Sequence, residues 1–588
     1  MRFRSRTAAA GRVYAVTGTN TVSFAVVASD ITKAGLLGFA VRRYDLGAGT
    51  DEWMPGFKVF RSLVPSPDAD TRVSTHDHPV QSFVWDDFTC RPDSRYRYVF
   101  QPLKGTAAAL DRSATPITLT IRTEPLYGAT HDVFFNRGVA SSQAYTQLYG
   151  DGPIADLDPD RQKQALGWLS RDLDDALLRF IDQTQPGDRL LGCFYEFTCE
   201  PAATALKNAI DRGVDVHLIV DGKENGSATE PAFPREENLA TLAAAGITDA
   251  HYVLREARTS AIAHNKFMVH VPAGSVPTQV WTGSTNLTQG GIAGQTNVGH
   301  WVRDAATALT FQGYWTLLAS DPGGRSDDTR SDVLKKNAAY RAAVEQLSPV
   351  AADLHDVAAG VTPVFSPRQT TDVLESYAVL LDTAVREGCI TFAFGVGAAF
   401  KDLLEDNTTQ NAIVFMLLEK QDKPDPKHPT AFVRINARNN VYQAWGSYLE
   451  NPVYQWAKET NAGLLGLNSH VSYVHSKFML IDPLGDDPIV VTGSANFSNA
   501  STIDNDENMI IVRGDRRTAD IYSTEFNRIF NHYYFRSVTE ATAGEPQSAL
   551  DASLFLAEDD SWEQKYRPGS LKAKRVALYA AMSGFTRA

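Results

Sequence analysis

Two short stretches of the chain carry the same pattern of reactive side chains. The first is His264-Asn-Lys266-Phe-Met followed by Thr282-Gly-Ser284-Thr-Asn286, and the second is His475-Ser-Lys477-Phe-Met followed by Thr492-Gly-Ser494-Ala-Asn496. Lysine offers fixed positive charge, asparagine an amide donor, and histidine a group that accepts, donates or attacks near neutral pH. Two such trios form a clamp for a phosphate. One imidazole attacks phosphorus while the other protonates the departing oxygen, and the lysines and asparagines hold the equatorial oxygens as charge redistributes. Such a reaction requires no metal and no cofactor.

The spacing says which elements must hold these groups. Histidine and lysine stand two residues apart in each copy, so on an extended segment both side chains share one face. The asparagine follows 22 residues after His264 and 21 after His475, behind an apolar run that reads as the next strand, and a hairpin would gather all three. Around the first copy, an amphipathic helix at 169–181 precedes apolar strands at 189–195 and 214–220, the latter closed by Asp221. The second half repeats this with a helix at 374–385, strands at 390–394 and 412–418, and Glu419 in the place of Asp221. Helical patterns between continuous apolar strands predict a mixed sheet flanked by helices in each half.

Paired, ordered and correctly spaced, the motifs resemble the HxK and GSxN signatures of the phospholipase D superfamily, over roughly residues 130–540. The resemblance implies two half-domains facing each other about a pseudo-twofold axis, with both motif sets in one cleft. It implies phosphodiester chemistry through a phosphohistidine, carried by His264, Lys266, Asn286, His475, Lys477 and Asn496, with Ser284, Ser494, Asp482 and Glu507 in support. The halves differ. The superfamily's aspartate five residues after the lysine is present as Asp482 but is replaced by Val271, with His270 just before it, in the first copy. Aligning Asn286 with Asn496 sets Asn297 opposite Glu507, at a position where the family often carries a carboxylate that orients a catalytic histidine. On this reading His475 alone keeps its full set of partners. By resemblance His264 attacks and His475 protonates the leaving group, while the asymmetry leaves the reverse assignment open.

The chain has 588 residues, 43% of them hydrophobic, enough for two or three domains. Short alternating runs and turn residues over 1–128 predict an all-β sandwich, and the stretch from Trp85 to Tyr98 resembles late strands of a fibronectin type III module. Residues 129–345 then form the first phospholipase D-like repeat, and 346–588 the second with a C-terminal tail. The predicted class is therefore α/β, with two repeats preceded by a β-sandwich. The breaker-rich stretch 321–328 reads as a surface connection between the repeats.

No apolar segment of useful length follows the basic start, and the longest apolar-leaning stretch, 389–400, spans 12 residues where a membrane helix needs about 20, so a cytoplasmic protein is expected. Cysteines at 90, 193, 199 and 389 have no framework spacing and read as buried thiols. The balance of 56 basic and 69 acidic residues, net −13, argues against a nonspecific nucleic-acid surface. His76 and His78 read as solvated, with no third metal ligand evident. The basic run of Lys572, Lys574 and Arg575 reads as a solvated helix face, contact with lipid headgroups or nucleic acid being the sharper alternative. A loop at 420–429 and the polar groups Glu196, His470 and Ser476 lie near the motifs. The first functional reading is hydrolysis of a phospholipid to phosphatidate and a headgroup alcohol, with peripheral membrane contact. A nuclease acting on nucleic acid comes second, and a noncatalytic phosphate-binding scaffold with a degenerate first half comes third.

Overall fold

The computed structural model describes residues 1–56, 58–67, 71, 73–138, 143–150, 152–224, 233–258, 261–405, 412–424, 436–446, 467, 472–541 and 555–586. Its N-terminal part is built on two antiparallel sheets. Strands Arg2–Arg4, Gly11–Thr17, Val22–Ala28 and Val84–Asp87 form one; Ile117–Arg122, Arg95–Thr106, Gly38–Asp45 and Thr50–Trp53 form the body of the other. Alternate residues turn inward, so Val13, Phe24 and Val26 of the first sheet meet Val41, Tyr98, Phe100 and Leu119 of the second in one buried cluster.

Two seven-stranded sheets follow, with the same strand order. In the first the order is His131–Phe135, Val298–Val302, Gln279–Gly283, Lys266–Val271, Arg189–Phe194, Asp215–Asp221, Tyr252–Arg255. In the second it is Gly360–Ser366, Glu507–Arg513, Ile489–Gly493, Phe478–Ile481, Glu387–Phe392, Ile413–Leu418, Val441–Trp445. Each pairs its last three strands in parallel and the rest antiparallel, giving the mixed sheets expected. Most of these strands are buried on both faces, which is why they read as unbroken apolar runs.

One cluster fuses the halves. Phe135, Phe267 and Val269 of the first sheet and Phe478 and Leu480 of the second pack together with Phe311 and Tyr314 of helix Ala305–Ala319 and Tyr522 and Phe526 of helix Arg516–Ala541. The Phe135 ring lies 5.7 Å from that of Phe478 and 5.2 Å from that of Tyr522. This shared core sets the two sheets against each other, and with them the segments that carry the motifs.

Two local expectations change and a third is refined. The helix expected at 169–181 is two helices, Pro159–Ser170 and Leu173–Asp182, broken at Arg171, whose φ is +57°. The Arg171 guanidinium is drawn away to the Phe135 carbonyl, at 2.9 and 2.6 Å, and to Glu525, at 3.1 Å. The connection at 321–328 is anchored at its start, since Asp321 accepts from Arg255 at 2.6 Å and from the Ala257 amide at 3.0 Å. The basic run of the tail is not one solvated face. Lys574 donates to Asn440 at 2.7 Å, the Arg575 guanidinium sits 5.5 Å from the Phe415 ring centroid, and Lys572 stays exposed. The tail instead straps back over the N-terminal sheets, where Trp562 enters the core and donates to the Leu36 carbonyl at 2.8 Å.

His78 accepts from the Phe60 amide at 3.2 Å and His76 contacts Asp77 at 2.7 Å, so both have hydrogen-bond roles. All four cysteines are buried free thiols. Among the described residues no helix is long and apolar enough to cross a membrane.

Candidate active site

Each histidine stands just before a central strand of its sheet, and an acidic residue at the end of the strand one beyond that strand's neighbour holds it there. Asp221 accepts the amide of Ala263 at 3.0 Å, and Glu419 accepts the amides of Ser472, Tyr473 and Val474 at 2.8, 3.0 and 2.6 Å. The correspondence of Asp221 and Glu419 read from the sequence is thus a shared job: fixing the peptide that precedes the histidine. Each lysine folds back on its own motif. Lys266 Nζ donates to the His264 carbonyl at 2.5 Å and Lys477 Nζ to the His475 carbonyl at 2.7 Å.

The glycine of each Gly-Ser-x-Asn motif is there for room. A Cβ on Gly283, whose φ is +135°, would collide with the Val298 carbonyl of the adjacent strand, and one on Gly493 with the Asn508 carbonyl. The serine that follows uses this closeness. Ser284 Oγ accepts from the Val298 amide at 3.1 Å and donates to Asn297 Oδ1 at 2.8 Å; Ser494 Oγ accepts from the Asn508 amide at 2.9 Å and donates to Glu507 Oε2 at 2.7 Å.

The partners of the histidines are exchanged between halves. Both carboxylate oxygens of Glu507, in the second half, lie 2.9 Å from Nδ1 of His264 in the first. Asn297 Oδ1, in the first half, lies 3.0 Å from Nδ1 of His475 in the second. The expectation that His475 alone keeps its full set of partners is therefore corrected: the carboxylate belongs to His264. Backbone bridges across the pseudo-twofold axis explain the exchange. Thr296 donates to the Tyr473 carbonyl at 2.8 Å and accepts from the His475 amide at 3.2 Å, and the Asp506 amide donates to the Ile262 carbonyl at 3.0 Å. The residues just before Asn297 and Glu507 are thereby sewn to the opposite histidine loop. Spacing along one copy carries no trace of this.

Hydrogen bonding also fixes tautomers. Asn297 Nδ2 donates to the Gly291 carbonyl at 2.8 Å, so Oδ1 faces His475 and its Nδ1 carries the proton. Glu507 accepts from Ser494, and His264 Nδ1 donates to it. In both rings this leaves Nε2 for chemistry.

Burial dominates the electrostatics. It pushes both imidazoles well below the usual histidine range, and the nearby lysines push them further. Burial lowers Lys266 to about 8 against the pull of Glu507 and Glu196, and lowers Lys477 well below its ordinary value. It raises the Glu507 carboxyl to about 8 against the pull of Lys266 and Lys477. Burial thus disfavours the charged form of acid and base alike, and a phosphate anion beside the lysines would favour their protonated forms.

Asn286 donates through Nδ2 to the carboxylate of Glu196, and its Oδ1, like that of Asn496, is buried without a hydrogen-bond partner among the described residues. Ser476 Oγ lies 3.3 Å from Thr296 Oγ1 in the bridge between halves. His470 and residues 425–429 of the loop at 420–429 lie outside the described residues. Asp482 sits at the far end of the strand that begins beside Lys477, where it accepts the amides of Val385, Arg386 and Glu387 at 2.9, 2.7 and 2.9 Å. Its job is to tie strand ends. In the first half Asp188 does this, accepting from the amides of Gln185 and Ala273 at 2.9 and 2.8 Å and contacting His270 Nε2 at 2.9 Å. Val271 marks a relocated strut.

The family described as "Cardiolipin synthase, PLD-like domain" matches the chain twice, over residues 177–315 and 388–530, one match on each sheet with its motifs. Each matched region, with its sheet and its motifs, is thus similar to a phospholipase D-like domain. Among solved structures it is similar to the phosphatidylserine synthase of Haemophilus influenzae Rd KW20, at 9% identity over 70% of this chain and 93% of that one, with a TM-score of 0.41. It is also similar to Nuc, a phospholipase D family member of Salmonella typhimurium, at 16% identity over 29% of this chain and 93% of that one, with a TM-score of 0.22. No curated protein matches the chain in sequence.

Proposed function

We propose that the chain cleaves the phosphodiester bond of phospholipids through a covalent phosphohistidine on His264, with His475 as general acid and base and no metal ion in the chemical steps. The observation that carries this reading is Glu507 reaching across the halves to His264 Nδ1. Burial raises this carboxyl to about 8; in its ionised form it makes Nε2 the more basic nitrogen and steadies the positive charge that grows on the ring as it attacks.

In the first step the Nε2 lone pair of His264 bonds to phosphorus. The bond from phosphorus to the leaving oxygen breaks, its electron pair goes to that oxygen, and the proton on His475 Nε2 follows it. Lys266, Lys477, Asn286 and Asn496 hold the non-bridging oxygens. In the second step His475 Nε2 takes a proton from water or an alcohol, whose oxygen attacks phosphorus. The bond to nitrogen breaks and its electron pair returns to His264.

Water gives phosphatidate; an alcohol gives a new diester. One observation favours transfer as the second reading: the matched family is described by a synthase. We further infer that the two N-terminal sheets form a fibronectin type III-like sandwich and that the protein works at a lipid surface in the cytoplasm.

Phosphatidylcholine vesicles with a little ethanol test the proposal, with products read by mass spectrometry. Wild type is expected to give phosphatidylethanol and phosphatidate, their ratio reporting transfer against hydrolysis, and His264→Ala to give neither. Cleavage of bis(p-nitrophenyl) phosphate without any lipid product would overturn the lipid assignment and favour nucleic-acid diesters. A tenfold loss of rate in EDTA would overturn metal independence.

A further inference from the structure

Glu196 takes no part in the steps above, yet it touches the clamp. It follows strand Arg189–Phe194, is half-buried, and accepts from Nδ2 of Asn286, the donor meant for a phosphate oxygen. Its charge also acts on Lys266 and Lys477. When a phosphodiester enters and Asn286 turns its amide to the phosphate, Glu196 loses that partner and faces an anion one hydrogen bond away. Repulsion of this kind is strong where water is scarce.

Among the described residues the second half has no acidic group in the equivalent place. Phe194 pairs with Lys266, and the register of Ile390 with Met479, carried two residues on, sets Phe392 against Lys477. Glu196 and Phe394, each two residues beyond, therefore hold equivalent places. Phe394 is 70% exposed. One approach to the clamp is acidic and the other apolar.

The geometry points to Glu196 as a specificity-determining residue that selects phosphodiesters with a cationic amine on one alcohol arm and works against purely anionic ones. The ammonium takes the place Asn286 leaves, neutralising the carboxylate beside the bound phosphate. The inference rests on the phosphodiesterase reading above and adds to it the charge of the substrate arm.

Two soluble esters with one leaving group test it: p-nitrophenyl phosphocholine and methyl p-nitrophenyl phosphate. Release of p-nitrophenol holds the chemistry constant while the retained arm changes from cationic to neutral. Wild type is expected to favour the phosphocholine ester at least tenfold in kcat/KM. Glu196→Gln should lower kcat/KM for that ester and raise it for the methyl ester, bringing their ratio near one, and Glu196→Asp should restore part of the preference. A residue that merely steadied Asn286 would change both esters in the same direction, and that result would overturn the proposal. So would a wild type that cleaves both esters without preference, leaving the phosphodiesterase reading intact. Failure of wild type to cleave either would defeat both.

Discussion

The two halves share a strand order, a motif set and a way of holding the histidine, and they differ in what each lends to the other. The second half gives a carboxylate, Glu507, to His264; the first gives an amide, Asn297, to His475. A carboxylate raises the basicity of the ring it touches and stabilises its cation, and an amide only orients the ring. On the proposed mechanism the difference divides labour: His264 attacks, and His475 gives up a proton readily. Asymmetry that resembles decay along one copy becomes specialisation once partners are exchanged.

The largest effect follows at the nucleophile. His264→Ala should lower kcat by about 10⁴-fold or more, the reverse of the weak effect a degenerate first half would show; near-normal turnover would sink the assignment. Glu507→Gln preserves shape while removing charge and should cost about 10²–10⁴-fold in kcat. Asn297→Ala should cost about 10- to 100-fold, and equal losses in these last two variants would erase the distinction between the halves.

The acidity of His475 can be tuned. It acts as an acid when protonated, a form present below its pKa, and burial and the lysines depress that pKa. Its rate contribution should therefore fall as pH rises through a low value, and Asn297→Asp, which adds a carboxylate, should move that fall to higher pH by about one unit. An unmoved profile would show that Asn297 does not govern this proton. Burial also holds Lys266 near 8, so substrate binding should weaken, and KM rise, as pH climbs past about 8. The smallest catalytic effect belongs to Asp482→Ala. Losing the acceptor of three amides should cost about 1–3 kcal/mol of stability, seen as a lower Tm, with kcat retained; a large loss of kcat would return Asp482 to the cleft.

The sequence made the candidate site's residues legible because their types recur at a fixed spacing within a hairpin, and a hairpin is local. His264, Lys266 and Asn286, and their counterparts, follow from that. Alternation exposed the two N-terminal sheets and continuous apolar runs the buried strands, since those patterns record which faces are covered. What stayed hidden is what crosses the pseudo-twofold axis. Glu507 meets a histidine 243 positions away through bridges made by backbone at Thr296 and Asp506, and backbone bridges leave no residue signature. The strut of the first half escaped for a similar reason, its aspartate standing at 188, far upstream of the position where the motif seeks it. Trp562 and the strap it anchors were hidden because a core that takes a side chain from the far end of the chain looks complete in local sequence.

The most direct test of the exchanged partnership is covalent trapping. An activated aryl phosphodiester needs little help from a general acid, so it should load the His475→Ala variant, which cannot then release the group quickly. Peptide mapping by mass spectrometry should find the adduct on His264, with none formed in the Glu507→Gln variant over the same interval. In a His264→Ala protein, an adduct on His475 would contradict the account.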